Sequence, residues 1–254
     1  MSKKIFITGA SSGIGYAIAK QLDAQNVSLG LVGRNKKRLL ALQKQLQCTS
    51  FVLPAHVENV VSMQKAADKF KQLCGCPDIV IANAGVSSGT LAADSKDLEI
   101  IQKIFQINFH GVLNTFSPFV GDFIQNKEGQ LVAVASVAGI RGLPGAGAYS
   151  SSKSALINYM ESIRVELKKF NIFVTTISPG YIKTPMTDIN NYPMPFLIDA
   201  ESAAKKIIKI INKKKSHAIL PWQMSIIAKI MHILPNWLWD LLAKNSPGKK
   251  KINL

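Results

Sequence analysis

The chain has 254 residues, 47% of them hydrophobic and 18% charged, and a formal net charge of +16. That length can bury a sizeable core as one α/β domain without linker or repeat, and no helix-turn-helix, RRM-like or finger pattern organises the basic surface, so nucleic acid is not an expected partner. Cys48, Cys74 and Cys76 lack the paired spacing of a zinc site, so no metal is expected; they read as thiols in a reducing compartment, with CGC at 74–76 a helix end.

The N-terminus passes from two lysines into KKIFIT at 3–8, a strand-like run too short for a signal peptide's apolar region. The mature protein is therefore expected to start here, in the cytoplasm. GASSGIG follows, and YAIAKQLDAQ has the spacing of an amphipathic helix. Strand and helix then alternate: VSLGLV at 27–32 before KKRLLALQKQL, SFVLPA at 50–55 before VVSMQKAADKFKQL, DIVIANAG at 78–85, QLVAVAS at 130–136 and NIFVTTISPG at 171–180. Apolar strands alternating with helices of this length predict a single Rossmann-like, doubly wound parallel sheet with helices on both faces. Ligands of such sheets lie beyond the carboxyl ends of the strands, where Gly9, Gly13, Gly15, Asn83, Gly85, Ser136, Pro179 and Gly180 cluster.

In TGASSGIG, Gly9 permits the tight turn, Gly13 admits a pyrophosphate close to the backbone, and Gly15 lets the helix lie on the strand. Free N–H groups at the helix start then face the phosphates. Tyr149 and Lys153 in YSSSK stand four apart, on one face of a helix. An ammonium about 4 Å from a phenol interacts by about 4 kcal/mol at an effective dielectric near 20, enough to lower its pKa by up to ~3 units. Taken alone, the pair also fits a half-buried tyrosine beside a solvated lysine.

The spacing TG-x-x-x-G-x-G resembles the short-chain dehydrogenase/reductase family, and the likeness extends over roughly residues 3–220. ANAG at 82–85 is similar to its NNAG element, with Ala82 for the first Asn. Asn108 in INFHG, Ser136 in ASVAG and Tyr149 with Lys153 match its catalytic tetrad, and SPGYIKT at 178–184 its PG-x-x-x-T segment. The resemblance implies an oxidoreductase moving a hydride between a nicotinamide and a carbonyl or alcohol. By it, Tyr149 exchanges the substrate-oxygen proton, Lys153 lowers that phenol's pKa and holds the nicotinamide ribose, Ser136 orients the carbonyl, and Asn108 keeps a water in the proton relay. It implies cofactor contacts from Thr8, Gly9, Ser11, Ser12, Gly13, Ile14, Gly15, Val57, Asn83, Ala84, Gly85, Tyr149, Lys153, Pro179, Gly180 and Ile182, with Thr184 at the carboxamide. A homodimer or homotetramer through the helices around Asn108 and Tyr149 is the matching assembly.

An acidic residue at the end of the second strand would select NAD. Here Gly33 takes that place, Arg34 follows, and Lys37 and Arg38 lie nearby, so NADPH/NADP+ is expected over NADH. The family's Asp-Val after the third strand is His56-Val57, and His56 is expected to line the adenine pocket. His110 reads as structural.

YIKTPMTDINNYPMPFLIDA has the proline and methionine content of a mobile lid over a greasy site, facing a wall of Val137, Ala138 and Leu143 to Ala146. No Arg or Lys is plainly placed to clamp a carboxylate, although Arg141 could, and a lipophilic ketone or aldehyde is expected as substrate over a sugar. Residues 1–220 form the dinucleotide-binding and catalytic domain, closed by a last strand, HAILP. Residues 221–254 form a basic amphipathic extension with three tryptophans; from Glu201 onward eleven lysines face only Glu201 and Asp240. Lys229, Pro235 and Asp240 oppose a spanning helix. The extension suits peripheral contact with an anionic membrane on its inner face, a second subunit, or a cover on the substrate pocket.

Overall fold

The computed structural model describes residues 2–23, 25–244 and 248–252; the parts of the predicted extension at 245–247 and 253–254 lie outside them. In chain order, β1 (Lys3–Thr8), β2 (Val27–Gly33), β3 (Thr49–Pro54), β4 (Ile79–Ala82), β5 (Gly129–Val134) and β6 (Ile172–Pro179) precede a short clasp of β7 (Ile182–Lys183) and β8 (Ile198–Asp199), then β9 (His217–Leu220). Seven of them form a parallel sheet in the order β3-β2-β1-β4-β5-β6-β9. The direction of winding reverses between β1 and β4. That switch point opens a crevice beyond their carboxyl ends.

The helices are α1 (Gly13–Leu22), α2 (Lys36–Gln43), α3 (Val60–Cys74), α4 (Leu98–Phe105), α5 (Gly111–Asn126), α6 (Gly147–Leu167), α7 (Ala200–Asn212), α8 (Trp222–Ile233) and α9 (Asn236–Ala243). Strand alternation sorts the core into two layers. Phe6 points into one, with Phe70 of α3, Phe119 and Phe123 of α5 and Met160 of α6. Ile5 and Ile7 point into the other, with Ile18 of α1, Leu39 of α2 and Ile207 of α7. Phe6 meets Phe70 and Phe119 edge-on at ring-centre distances of 5.5 and 4.9 Å. Each fully buried Phe contributes about 1.5–3 kcal/mol. Gly30 of β2 makes room for this cluster, because a Cβ there would stand 2.7 Å from the Phe70 ring.

One local reading shifts. The first helix, expected over 16–25, begins at Gly13 and ends at Leu22; Gly13 opens it at a φ of +57°, and Gly15 packs inside its first turn against the Gly9 carbonyl. Between α4 and α5 the chain makes a π-helical turn, Gln106–His110, which carries Asn108. Such a turn re-aims a side chain that a regular helix would hold elsewhere. Past β9, α8 packs Met224 and Ala228 against Val137, beside the loop after β5. Its other face, with α9, leaves Trp222, Ile226, Ile230, Ile233, Trp237, Leu241 and Leu242 exposed. Among the described residues no helix is long and apolar enough to cross a membrane.

Candidate active site

Beyond β1 the chain turns at Gly9 and Gly13, with φ of +69° and +57°, a backbone region that favours glycine. Asn83, at the end of β4, holds this turn: its Nδ2 donates to the carbonyls of Thr8 at 3.0 Å and Gly9 at 3.3 Å. Thr8 Oγ1 in return accepts from the N–H groups of Asn83 and Ala84 at 3.1 and 3.2 Å. Thr8 is buried, so it acts from behind the turn as a latch. Gly15 also acts from behind, since a Cβ there would lie 2.5 Å from Asn83 Nδ2 and collide with the Gly9 carbonyl.

A cleft of about 880 Å³ starts at this turn. Gly9, Ser11, Ser12, Gly13 and Ile14 form its floor, and Asn83, Ala84 and Gly85 its middle. Ser136, Tyr149 and Lys153 close the far end, with Pro179, Gly180, Ile182 and Thr184 opposite. Gly33 and Arg34 mark the near end, where Lys36 and Arg38 line the cleft and Lys37 does not. Asn35, which stands in no motif, sets this rim: its Oδ1 accepts from Arg38 N at 3.0 Å and starts α2.

His56 is not on the lining, contrary to expectation. Its side chain is 59% exposed and stands 3.6 Å from Glu58 Oε1, which also pairs with Lys103 Nζ at 3.2 Å. Val57 and Glu58 line the cleft instead. Burial pushes the Glu58 carboxyl up, but its own backbone N–H, Lys103 and His56 together hold it below the usual range. Glu58 Oε2 is buried without a hydrogen-bond partner among the described residues, which leaves an acceptor at this end of the cleft.

The resemblance had supplied four catalytic positions, and the fold brings them to the carboxyl ends of β4 and β5. Ser136 starts a 3-10 turn, Val137–Gly139, by accepting from Ala138 N at 3.1 Å. Gly139 allows that turn to lie on α6, because a Cβ there would stand 2.7 Å from the Lys153 backbone. Lys153, 4% exposed, donates from Nζ to the Val134 carbonyl at 2.8 Å and lies 5.9 Å from the Tyr149 ring centre. Asn108 is fully buried; its Oδ1 accepts from Val86 N at 2.8 Å, while Nδ2 donates to Val86 O at 2.9 Å and Ser152 Oγ at 3.1 Å. Its amide thus ties the chain after β4 to α6.

The electrostatics differ from the expected lowering of the phenol. Burial pushes Tyr149 above its ordinary value, and the Ser136 hydroxyl draws it back only in part. Burial also brings Lys153 down from 10.5 to about 8. The lysine turns to a backbone carbonyl, so the phenol keeps its proton at neutral pH and is poised as an acid.

The walls also rearrange. Leu143 and Pro144 line a second cavity of about 480 Å³ against Trp239 and Ala243, away from the cleft. Arg141 clamps no ligand: its guanidinium donates to the carbonyls of Met231 and Leu234 and, at 2.9 Å, to Asn236 Oδ1, with Trp239 5.1 Å away. It satisfies free carbonyls at the end of α8 and ties the side chain of Asn236, the first residue of α9, to the same corner. The expected lid hangs from the β7–β8 clasp, with Pro185, Met186 and Thr187 lining the cleft. Thr187 Oγ1 fixes its base by donating to Ile182 O at 2.6 Å.

Comparison with known proteins places this geometry. Residues 3–193 match the family model for short chain dehydrogenases. An oxidoreductase of Myxococcus xanthus is 35% identical over 241 residues, covering 94% of this chain and 95% of its own. The mouse dehydrogenase/reductase SDR family member 7B is 29% identical, covering 97% and 82%. The fold is shared with an alcohol dehydrogenase from the archaeon Thermococcus sibiricus, solved with 5-hydroxy-NADP, at a TM-score of 0.78 and 24% identity, covering 87% of this chain and 96% of that one.

Proposed function

The chain is an oxidoreductase of the short-chain dehydrogenase family, and on that premise we propose that it is an NADP(H)-dependent reductase of lipophilic ketones or aldehydes. The observation that carries this reading is one continuous cleft in which the glycine turn and Arg34 stand at one end, and Ser136, Tyr149 and Lys153 at the other.

The cleft suits a nicotinamide dinucleotide. The positive-φ glycines and the start of α1 would take its pyrophosphate, Lys153 its nicotinamide ribose, and Ile182 with Thr184 the carboxamide. The cofactor supplies the hydride. Arg34 and Arg38, with Gly33 where a carboxylate would select NAD, favour a ribose bearing a 2′-phosphate. The orphaned Glu58 oxygen offers an acceptor to an exocyclic amine of the adenine.

The residues of the chain do the proton work. Hydride arrival at a carbonyl carbon leaves an alkoxide, which needs a donor in place. Tyr149 OH gives its proton to that oxygen, and Ser136 Oγ donates a hydrogen bond that orients it. Lys153, charged below about pH 8, stabilises the phenolate left behind. A phenol that holds its proton at neutral pH favours reduction over oxidation. Val86, Pro185 and Met186 supply an apolar lining suited to a lipophilic substrate.

Two partners complete the proposal. A homodimer or homotetramer would form through the helices bearing Asn108 and Tyr149. An anionic membrane surface would meet the apolar face of α8 and α9, where Trp222, Ile226, Ile230 and Ile233 form one exposed stripe.

The test is NADPH oxidation against aldehydes and ketones of graded chain length, with NADH and Tyr149→Phe as controls. Turnover that rises with chain length, prefers NADPH and vanishes in Tyr149→Phe is expected. Tight NADPH binding with neither carbonyls reduced nor alcohols oxidised would replace the reading by a non-catalytic binder.

A further inference from the structure

The end of the chain returns to the catalytic tyrosine. Residues 248–252 lie across the seam between the loop after β4 and the loop before α6. Gly89 N donates to Lys250 O at 3.0 Å, and Ile252 N to Ser88 Oγ at 2.9 Å. Lys251 Nζ pairs with Asp94 at 2.6 Å and Asp97 at 2.9 Å. Asp97 is buried, so the pair neutralises a charge that the body of the protein would otherwise hold alone. The surface beneath is cut to receive this strap. A side chain at position 89 would collide with the Lys249 carbonyl, and one at Gly145 would stand 2.9 Å from Gly248.

Seated this way, Lys249 directs its ammonium over the Tyr149 ring, 5.2 Å from the ring centre. Two ammonium groups therefore flank one phenol. Lys153 has the Val134 carbonyl as acceptor, and Lys251 has its carboxylates. Lys249 Nζ has neither a carboxylate nor a carbonyl among the described residues. Burial is what acts on it, bringing it from 10.5 to about 8. A contact with an aromatic face recovers only part of what desolvating an ammonium costs. An anion brought in with the substrate would supply the remainder.

Resting on the reductase reading, we propose that Lys249 is a specificity-determining residue: it receives an anionic group, carboxylate or phosphate, held within a few bonds of the carbonyl that Tyr149 protonates. The preferred substrate is then amphiphilic, its chain along the apolar lid and its anion at the strap. The site's anion clamp is Lys249, supplied by the chain's last residues, and not Arg141.

A matched pair of ketones, 4-oxononanoate and its methyl ester, tests this on the full chain by turnover with NADPH and by calorimetric binding to the protein. The wild type should favour the acid by about 10–100-fold, the range of one charge-assisted hydrogen bond. Lys249→Met should bring the acid-to-ester ratio near one, Lys249→Arg should keep it, and Gly89→Val, which unseats the strap, should reproduce the loss. Equal handling of acid and ester by the wild type, or an unchanged ratio in Lys249→Met, would overturn the proposal. If neither ketone is reduced while acid binding still depends on Lys249, the anion site stands and the reductase reading falls.

Discussion

Asn108 Nδ2 donates to Ser152 Oγ at 3.1 Å, and this buried bond joins the π-helical turn to α6, the helix that carries Tyr149 and Lys153. Ser152 also donates to the Tyr149 carbonyl at 2.8 Å, so one hydroxyl spans two of the proposed catalytic positions. Ser152→Ala should cost about 1–3 kcal/mol of stability, because Asn108 loses a buried acceptor. Calorimetry would show a Tm lower by several degrees; an unchanged Tm would mean that Val86 alone holds Asn108.

The pH profile of reduction follows from burial. Lys153 ionises at about 8 and Tyr149 above its usual value, so kcat/KM in the free enzyme should be flat below pH 8 and fall above it. Lys249 also titrates at about 8, so the profile belongs on a neutral ketone with Lys249→Met, where the falling limb should persist. For stability the sign is opposite. Folding depresses Lys153, the unfolded chain binds more protons between about 8 and 10.5, and stability rises with pH there. Lys249 is depressed in the same way and adds its own part, so Lys153→Met should reduce that rise in Tm and the double variant Lys153→Met/Lys249→Met should remove it.

Arg34 stands exposed at the rim beside Gly33, with Arg38 near. Arg34→Ala should weaken NADPH binding by about tenfold and leave NADH within about twofold, since the lost partner is a phosphate. Fluorescence titration of both cofactors at low and high salt reads this directly. An equal loss for the two would assign Arg34 to the shared part of the dinucleotide.

Arg141 bonds the carbonyls of Met231 and Leu234 and the Asn236 side chain, so three acceptors at the α8–α9 corner depend on it. Arg141→Ala should lower stability by about 1–3 kcal/mol. Arg141→Lys should restore only part, because one ammonium cannot reproduce the guanidinium fork. Full rescue by lysine would mean that charge, not geometry, matters at this corner.

Ile233 and Trp237 are 77% and 70% exposed on adjoining helices. The double variant Ile233→Glu/Trp237→Glu should stop flotation with vesicles rich in anionic lipid and leave turnover of a water-soluble carbonyl intact. A wild type that does not float with such vesicles would remove the membrane from the proposed partners.

Much of this was legible in the residues. Apolar strand runs, intervening helices and the turn TGASSGIG are local signals, and each element expected from them lies within a few residues of its place. The motif positions Gly9, Ser136, Tyr149 and Lys153 reach one cleft because the parallel winding places every strand's carboxyl end on the same edge. His56 misled because a single residue's side of the chain depends on Glu58 and Lys103, the latter far away in sequence. Ser152 gave no signal among the small residues of YSSSK, and Glu58 none beside His56.

Apolar runs, helical periodicity and turn glycines, all carried by neighbours along the chain, determined the architecture, and the resemblance of the motifs to a known family pointed to the candidate catalytic positions. The tertiary structure alone decided which charges meet: Arg141 with the carbonyls of α8, Lys251 with Asp94 and Asp97, and Lys249 with Tyr149, a hundred residues away along the chain. Such pairings depend on where long-range packing seats a loop or a terminus. A lysine-rich end reads the same in sequence whether it meets water, lipid or a catalytic phenol.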